Sequence, residues 1–128
     1  MKISNRKIIL DQDVLNEISQ LQLPVKVSYA ISKNISKLNS ELKTFYSQRQ
    51  LLIDKYCERD EEGNKIADDK GNIHIAAEHL ETWGKEIEEL LDIENEVDIH
   101  KFKLECFENY NIKLTPSQMS AINYMIEM

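Results

Sequence analysis

The residues best equipped for chemistry in this chain are three histidines, two cysteines and a run of carboxylates set around two glycines. His74, His79 and His100 could ligate a metal or relay a proton. His74 and His79, however, lie five apart across an expected strand-to-helix junction, with no HExxH or Cys/His spacing and no nucleophile nearby in sequence. That pattern favours surface or structural histidines. Cys57 and Cys106 belong to no CxxC or Cys/His cluster, so the expectation is two buried free thiols rather than a disulfide framework or a zinc site. The acidic run repeats one phrase at a spacing of eight, Asp60-Glu61-Glu62-Gly63-Asn64 and then Asp68-Asp69-Lys70-Gly71-Asn72. A calcium loop of the EF-hand type needs glycine sixth and a bidentate Glu twelfth, whereas glycine is fourth here, so two solvated turns with Gly or Asn at positive φ are expected instead. There is no GxGxxG, P-loop or GxSxG, and only three glycines to build a phosphate-cradling loop. The sequence therefore predicts a non-enzymatic protein with no catalytic residue, metal ligand or cofactor.

Net charge narrows the partners. In 128 residues, Asp+Glu 23 stand against Lys+Arg 16, for a net charge of −7, which argues against gripping a phosphate backbone. A hydrophobic fraction of 41% is too high for a disordered acidic tail. No apolar run approaches the roughly 18–20 residues of a membrane span, and Ile8-Ile9-Leu10 is stopped by Asp11 and Asp13 before it can form a signal-peptide core. A cytoplasmic protein binding another protein, not nucleic acid or membrane, is the expectation. The acid-rich set Glu81, Glu88, Glu89, Asp92 and Glu96 is the candidate partner surface. A plain solvated face is the competing reading, and a surface mimicking the charge of DNA a third.

Positioning these residues requires helices. Lys7-Ile8-Ile9-Leu10 reads as a short strand, followed by a helix over about 12–22 capped by Asp11 or Asp13. Pro24 ends that run and opens a second helix. In it Ile31, Ile35, Leu38, Leu42, Phe45, Arg49, Leu52 and Tyr56 follow the 4, 3 alternation of a coiled-coil seam. Neither Gly nor Pro interrupts 25–59, so the helix should be roughly 50 Å long. Ala76, Leu80, Trp83, Ile87 and Leu90 repeat the pattern over about 76–95. In an antiparallel hairpin, facing residue numbers should sum to about 134–136, placing Tyr56 by Leu80, Leu52 by Trp83, Phe45 by Leu90 and Arg49 by Ile87. Arg49 would then fix the register with Glu86, and Trp83 would be core before it is a partner anchor. Between the helices, 65–67 and 73–75 should pair as a β-hairpin across the second acidic turn. The segment 97–107 reads as an extended or bulged strand that could pair with Ile8–Leu10, with a short helix as the rival. Thr115-Pro116-Ser117-Gln118 is a capping box opening a last helix to about 127 that buries Met119, Ile122, Met125 and Ile126.

The expected fold is thus a mainly α single domain, 1–128, with a minor β part. A long antiparallel helical hairpin (24–95) carries a β tip at about 64–75. Its base (1–23 and 96–128) is packed by an N-terminal helix, a C-terminal helix and a possible small strand pair. Self-association could run through the second-helix overhang near Val27, Ile31 and Ile35.

The residues Tyr29-Ala30-Ile31-Ser32-Lys33-Asn34, the helix end Leu51-Leu52-Ile53-Asp54-Lys55-Tyr56, the Asp60–Asn64 turn, the acidic helix and Leu114-Thr115-Pro116-Ser117-Gln118 carry a resemblance. In them the chain resembles small phage and prophage proteins of Gram-positive bacteria, of the DUF1617-like family. The resemblance implies a phage-encoded intracellular protein serving host takeover, including inhibition of a defence protein, or alternatively virion assembly as a chaperone or self-associating component. The element order is also similar to prefoldin subunits, from which the unequal helices and extra terminal elements depart.

Overall fold

The computed structural model describes residues 1–108 and 110–127. The chain is mainly helical. In order it forms β1 (Lys2–Ser4), α1 (Asn5–Ser19), α2 (Val25–Tyr56), a 3₁₀ turn (Ala77–His79) leading into α3 (Leu80–Leu91), then β2 (Glu94–Glu96) and β3 (Phe102–Lys103). A second 3₁₀ turn (Leu104–Phe107), α4 (Pro116–Ile122), a third 3₁₀ turn (Asn123–Met125) and β4 (Ile126–Glu127) follow. Two compact units divide inside α2, one of Met1–Leu42 with Glu94–Met128, the other of Lys43–Ile93.

In the first unit the expected strand at Lys7–Leu10 is helix. Ser4 is the N-cap, its hydroxyl accepting from the Lys7 N–H at 3.1 Å, and Ile8, Leu15 and Ile18 fall on one buried face. Helical spacing of the apolar residues outweighs the β-branched run. The strand lies earlier: β1 pairs antiparallel with β2, Ile3 opposite Asn95. The segment expected to reach Ile8–Leu10 instead supplies β3, which pairs in parallel with β4, Phe102 opposite Ile126. Thr115 and Gln118 form the reciprocal capping box as expected. After seven residues, however, α4 gives way to a 3₁₀ turn, so Ile122, Met125 and Ala121 are buried while Met119 is exposed. Of the overhang expected to drive self-association, Val27 and Ile31 are fully covered within this unit and Ile35 is half-buried.

In the second unit, residues 43–56 of α2 run antiparallel to α3. The Tyr56 ring lies 5.3 Å from that of His79, its hydroxyl donates to Glu86 Oε1 at 2.9 Å, and Gln48 and Leu52 share a cleft with Glu89, Leu90 and Ile93. The expected seam is altered in two places. Glu86 is taken by Tyr56, and Arg49 is exposed rather than paired with Glu86, because a guanidinium keeps its hydration more cheaply outside the helix pair than in it. Leu80 is 55% exposed and His79 stands where it was expected, since the 3₁₀ turn before α3 has three residues per turn and slips the seam's phase.

At the tip, the eight-residue repeat folds into two turns of identical hydrogen bonding. Asp60 Oδ1 accepts the N–H groups of Glu62 and Asn64, and Asp68 Oδ1 those of Lys70 and Asn72, all at 2.9 Å. Gly63 and Gly71 take φ of 84° and 81°. Bridges Arg59–Lys65, Ala67–Ile73 and Cys57–Ile75 make each of three extended segments pair with both others. The closed arrangement leaves less open edge than the two-stranded hairpin expected. Arg59 fastens it to α2, donating to the Asp54 carbonyl at 2.6 Å and the Gly63 carbonyl at 2.9 Å, while Lys65 pairs with the Asp54 carboxylate. A Cβ at either glycine meets nothing within 4 Å, so Gly63→Ala and Gly71→Ala should each cost only the positive-φ strain, about 1–2 kcal/mol. Urea denaturation should return matching losses for the two; losses differing severalfold would contradict the equivalence of the turns.

Candidate functional site

The strongest candidate is a groove in the first unit, between the opening turns of α2 and residues 98–106. A buried amide builds it. Asn34, fully covered on α2, donates from Nδ2 to the His100 carbonyl at 2.8 Å and accepts the His100 N–H on Oδ1 at 2.7 Å. One side chain thereby satisfies both backbone groups of an irregular segment, as a neighbouring strand would. Lys37 Nζ adds a bond to the Asp98 carbonyl at 2.5 Å. Beyond this clamp the pleat of β3 turns Phe102 inward, 4% exposed, and leaves Lys103 outside.

The groove consists of two cavities of about 430 and 440 Å3 that share Val25, Lys26, Lys103 and Cys106. Tyr29, His100, Lys101, Phe102 and Glu127 line the first, and Pro24, Glu105 and Tyr110 the second. The Tyr29 ring meets His100 edge-on at 5.4 Å and carries Lys33 Nζ 5.6 Å from its centroid. Lys26, Lys101 and Lys103 have no ion-pair partner among the described residues. An apolar floor with aromatic walls and a lysine rim can hold an aliphatic or aromatic group flanked by carboxylates. Cys106 is half-buried in this wall, whereas Cys57 is buried in the second unit; both are free.

The acidic set expected as a partner surface is divided between the two units. Glu81, Glu88, Glu89 and Asp92 are exposed in the second unit, but α3 ends at Leu91 and Glu96 lies on β2 in the first. There Glu96 accepts the Met1 ammonium at 2.8 Å, a hydrogen bond that holds its carboxyl below the usual range. The histidines have separate neighbours: His74 Nε2 lies 2.8 Å from Asp68 Oδ2, His79 stacks on Tyr56, and His100 meets Tyr29. No cluster of three His, Cys, Asp or Glu side chains that could hold a metal occurs among the described residues. None of their helices is long and apolar enough to cross a membrane. Trp83, on α3, is half-buried. The groove residues gave weaker signals: a polar Asn34 in step with Val27, Ile31 and Leu38, and the alternation Lys101-Phe102-Lys103.

The tip's carboxylates make it acid-sensitive. Backbone bonding from Asn72, then His74, lowers the Asp68 pKa; Lys65, then Gln50, lowers that of Asp54. A depressed folded pKa gives stability that is present above the unfolded value of about 4 and is lost as pH falls through the lower folded value. Hydrogen-exchange protection of the Lys70 and Asn72 amides should therefore drop below about pH 4. Asp68→Asn, which keeps an oxygen for both amides, should flatten that dependence; an unchanged profile would refute it.

Comparison of the chain with protein-family models, curated proteins and solved structures gives no match.

Proposed function

We propose that this chain is a non-enzymatic protein-interaction module, phage-encoded and acting in the host cytoplasm, which binds and inhibits a host protein through the first unit's groove. The phage and host parts of this reading rest on the likeness to DUF1617-like proteins. The interaction part is carried by one observation: Val25, Tyr29 and Tyr110 stand exposed beside Lys26, Lys101 and Lys103, which have no ion-pair partner among the described residues. Tyrosines that are already oriented, as Tyr29 is by His100 and Lys33, are the side chains that dominate interface energetics.

Affinity capture from host lysate with mass spectrometry tests it. The wild type should retain a stoichiometric defence or regulatory protein, and Tyr29→Ala with Lys103→Glu should reduce recovery about tenfold. Failure to retain any stoichiometric protein, or equal recovery by the variant, overturns the groove reading. Recovery of virion components in place of a host protein replaces host inhibition with a role in assembly.

A further inference from the structure

We propose that the cleft between residues 43–56 of α2 and α3, in the second unit, receives a basic amphipathic helix of a partner protein. Its chemistry is opposite to that of the lysine-rimmed groove, and it does not depend on the groove. The second unit has an open core. Among the described residues of 43–93, only Phe45, Tyr56 and Cys57 are buried apolar side chains. α3 gathers Leu80, Trp83, Ile87, Leu90 and Leu91 within one arc of its surface, yet none of its residues is buried. Trp83, Ile87, Leu90 and Leu91 are half-buried, and Leu80 is exposed. An apolar stripe of that width has room for a second neighbour beside α2. The uncovered side is a cleft of about 410 Å3, lined by Gln48 and Leu52 of α2, by Glu86, Glu89 and Leu90 of α3, and by Ile93, which is 51% exposed. Glu86, Leu90 and Ile93 follow one another at spacings of four and three, so the cleft runs along α3. Two packed helices leave such a furrow, and a third helix laid in it sets ridges into grooves. The 12 residues of α3 rise through roughly 18 Å, the length of a partner helix of about three turns.

Charge fixes the chemistry of the occupant. α3 carries Glu81, Glu86, Glu88 and Glu89 against Lys85 alone. The second unit as a whole holds Lys+Arg 7 against Asp+Glu 13, a net of −6. In the cleft, Glu86 is oriented by the Tyr56 hydroxyl, and Glu89 is exposed with no ion-pair partner among the described residues. An apolar floor of Leu52, Leu90 and Ile93 beside these carboxylates selects a helix with apolar residues at i, i+3 or i+4 and i+7, flanked by Lys or Arg. A second copy of this chain is a poor source of one. Its cleft would bring the same carboxylates, and its own basic helical stretch, 26–43 of α2, has Val27, Ile31, Leu38 and Leu42 already covered. A helix of three turns buries less than the roughly 800 Å2 per partner of a standard interface, which makes the contact reversible and salt-sensitive.

Titration of the full chain with a synthetic helical peptide tests this. The probe is about 18 residues long, with leucine at the a and d positions of its heptads, lysine at e and g, and no aromatic residue. Two controls share its length: one carries glutamate for every lysine, and one has the same composition permuted to remove the helical period. Calorimetry should show saturable binding of the probe, weakened about tenfold at about 0.5 M salt, and binding at least about tenfold weaker for both controls. Trp83, the chain's one tryptophan, lies a turn before Glu86 on α3, so its emission should shift to the blue as the probe binds. Glu89→Lys with Ile93→Ser changes two exposed side chains, and unaltered circular dichroism and melting will show that the variant is folded. It should weaken the probe about tenfold, whereas Lys26→Glu with Lys103→Glu in the first unit's groove should leave it unchanged. Absence of saturable binding, equal binding of either control, or indifference to Glu89→Lys with Ile93→Ser overturns the proposal. So does a wild-type dimer in sedimentation velocity that the same variant abolishes, which would put a second copy in the cleft. The groove reading is judged separately, by capture with its own variants.

Discussion

Asn34→Leu is expected to lower the free energy of unfolding by about 2–4 kcal/mol, through two orphaned backbone groups rather than a cavity. Leucine keeps the γ-branched shape of asparagine and is larger, so the fully covered site stays filled, but the His100 carbonyl and N–H both lose their partner. The chain can recover part of the loss by peeling residues 98–103 away to hydrate those groups, which moves the cost to the lower end and dismantles the groove wall. Asn34→Asp separates the two bonds. A carboxylate still accepts the His100 N–H, but its second oxygen faces the His100 carbonyl, where Nδ2 sat at 2.8 Å. Burial and that carbonyl both disfavour the charge, raising the folded pKa above the unfolded value of about 3.9. A raised pKa gives stability that is complete below the unfolded value and is lost as pH rises through the folded one. Urea denaturation across about pH 4 to 7 should therefore show the Asp variant falling steadily behind wild type, while the Leu variant keeps a constant deficit. Parallel curves for the two variants would mean that the amide clamp does not operate.

What could be read beforehand depended on how local the determinant was. The tandem turns were legible because Asp, Gly and Asn each do their work within five residues: the aspartate binds two amides, and glycine supplies the positive φ. The capping box at Thr115 was legible for the same reason. In the long helix, Ile31, Leu38, Leu42, Phe45 and Tyr56 are buried as their spacing implied, yet Asn34 is fully covered where the seam had assigned Ile35, which is half-buried. Hydrophobic spacing cannot register a polar residue whose partner is a backbone 66 positions away. Lys7–Leu10 misled for the opposite reason: its β-branched composition outweighed the Ser4 cap that starts α1. Glu96 lies off the acidic helix and Arg49 outside the expected seam because their positions depend on where α3 begins and ends. A 3₁₀ turn at its start and termination at Leu91 are set by the tip and by β2, not by helix propensity. The groove was hidden altogether, since its walls come from residues near 25 and near 100, and no sequence window contains both.

Phe102→Ala is expected to have the largest effect of any single groove substitution, about 3–5 kcal/mol. Phe102 is 4% exposed, pairs in register with Ile126, and meets the Phe107 ring edge-on at 5.9 Å. Truncation removes a buried aromatic surface, its ring contact and the anchor of a strand only two residues long, which has no other ladder to hold it. Against the roughly 5–15 kcal/mol that folds a domain of this size, that is at least about a fifth of the total. Phe102→Leu, which keeps most of the volume, should cost less than about 1.5 kcal/mol. The double-mutant cycle with Phe107→Ala should return about 0.5–1.5 kcal/mol of coupling for the ring pair. The two substitutions also divide structure from recognition. Phe102→Leu keeps Lys101 and Lys103 at the rim and should retain partner capture. Phe102→Ala, even at low temperature where it remains folded, should lose capture because the lysines are no longer held at their spacing over Val25 and Tyr29. Urea melts of Phe102→Ala within about 1 kcal/mol of wild type would show that β3 does not anchor the segment, and the groove would lose its physical basis.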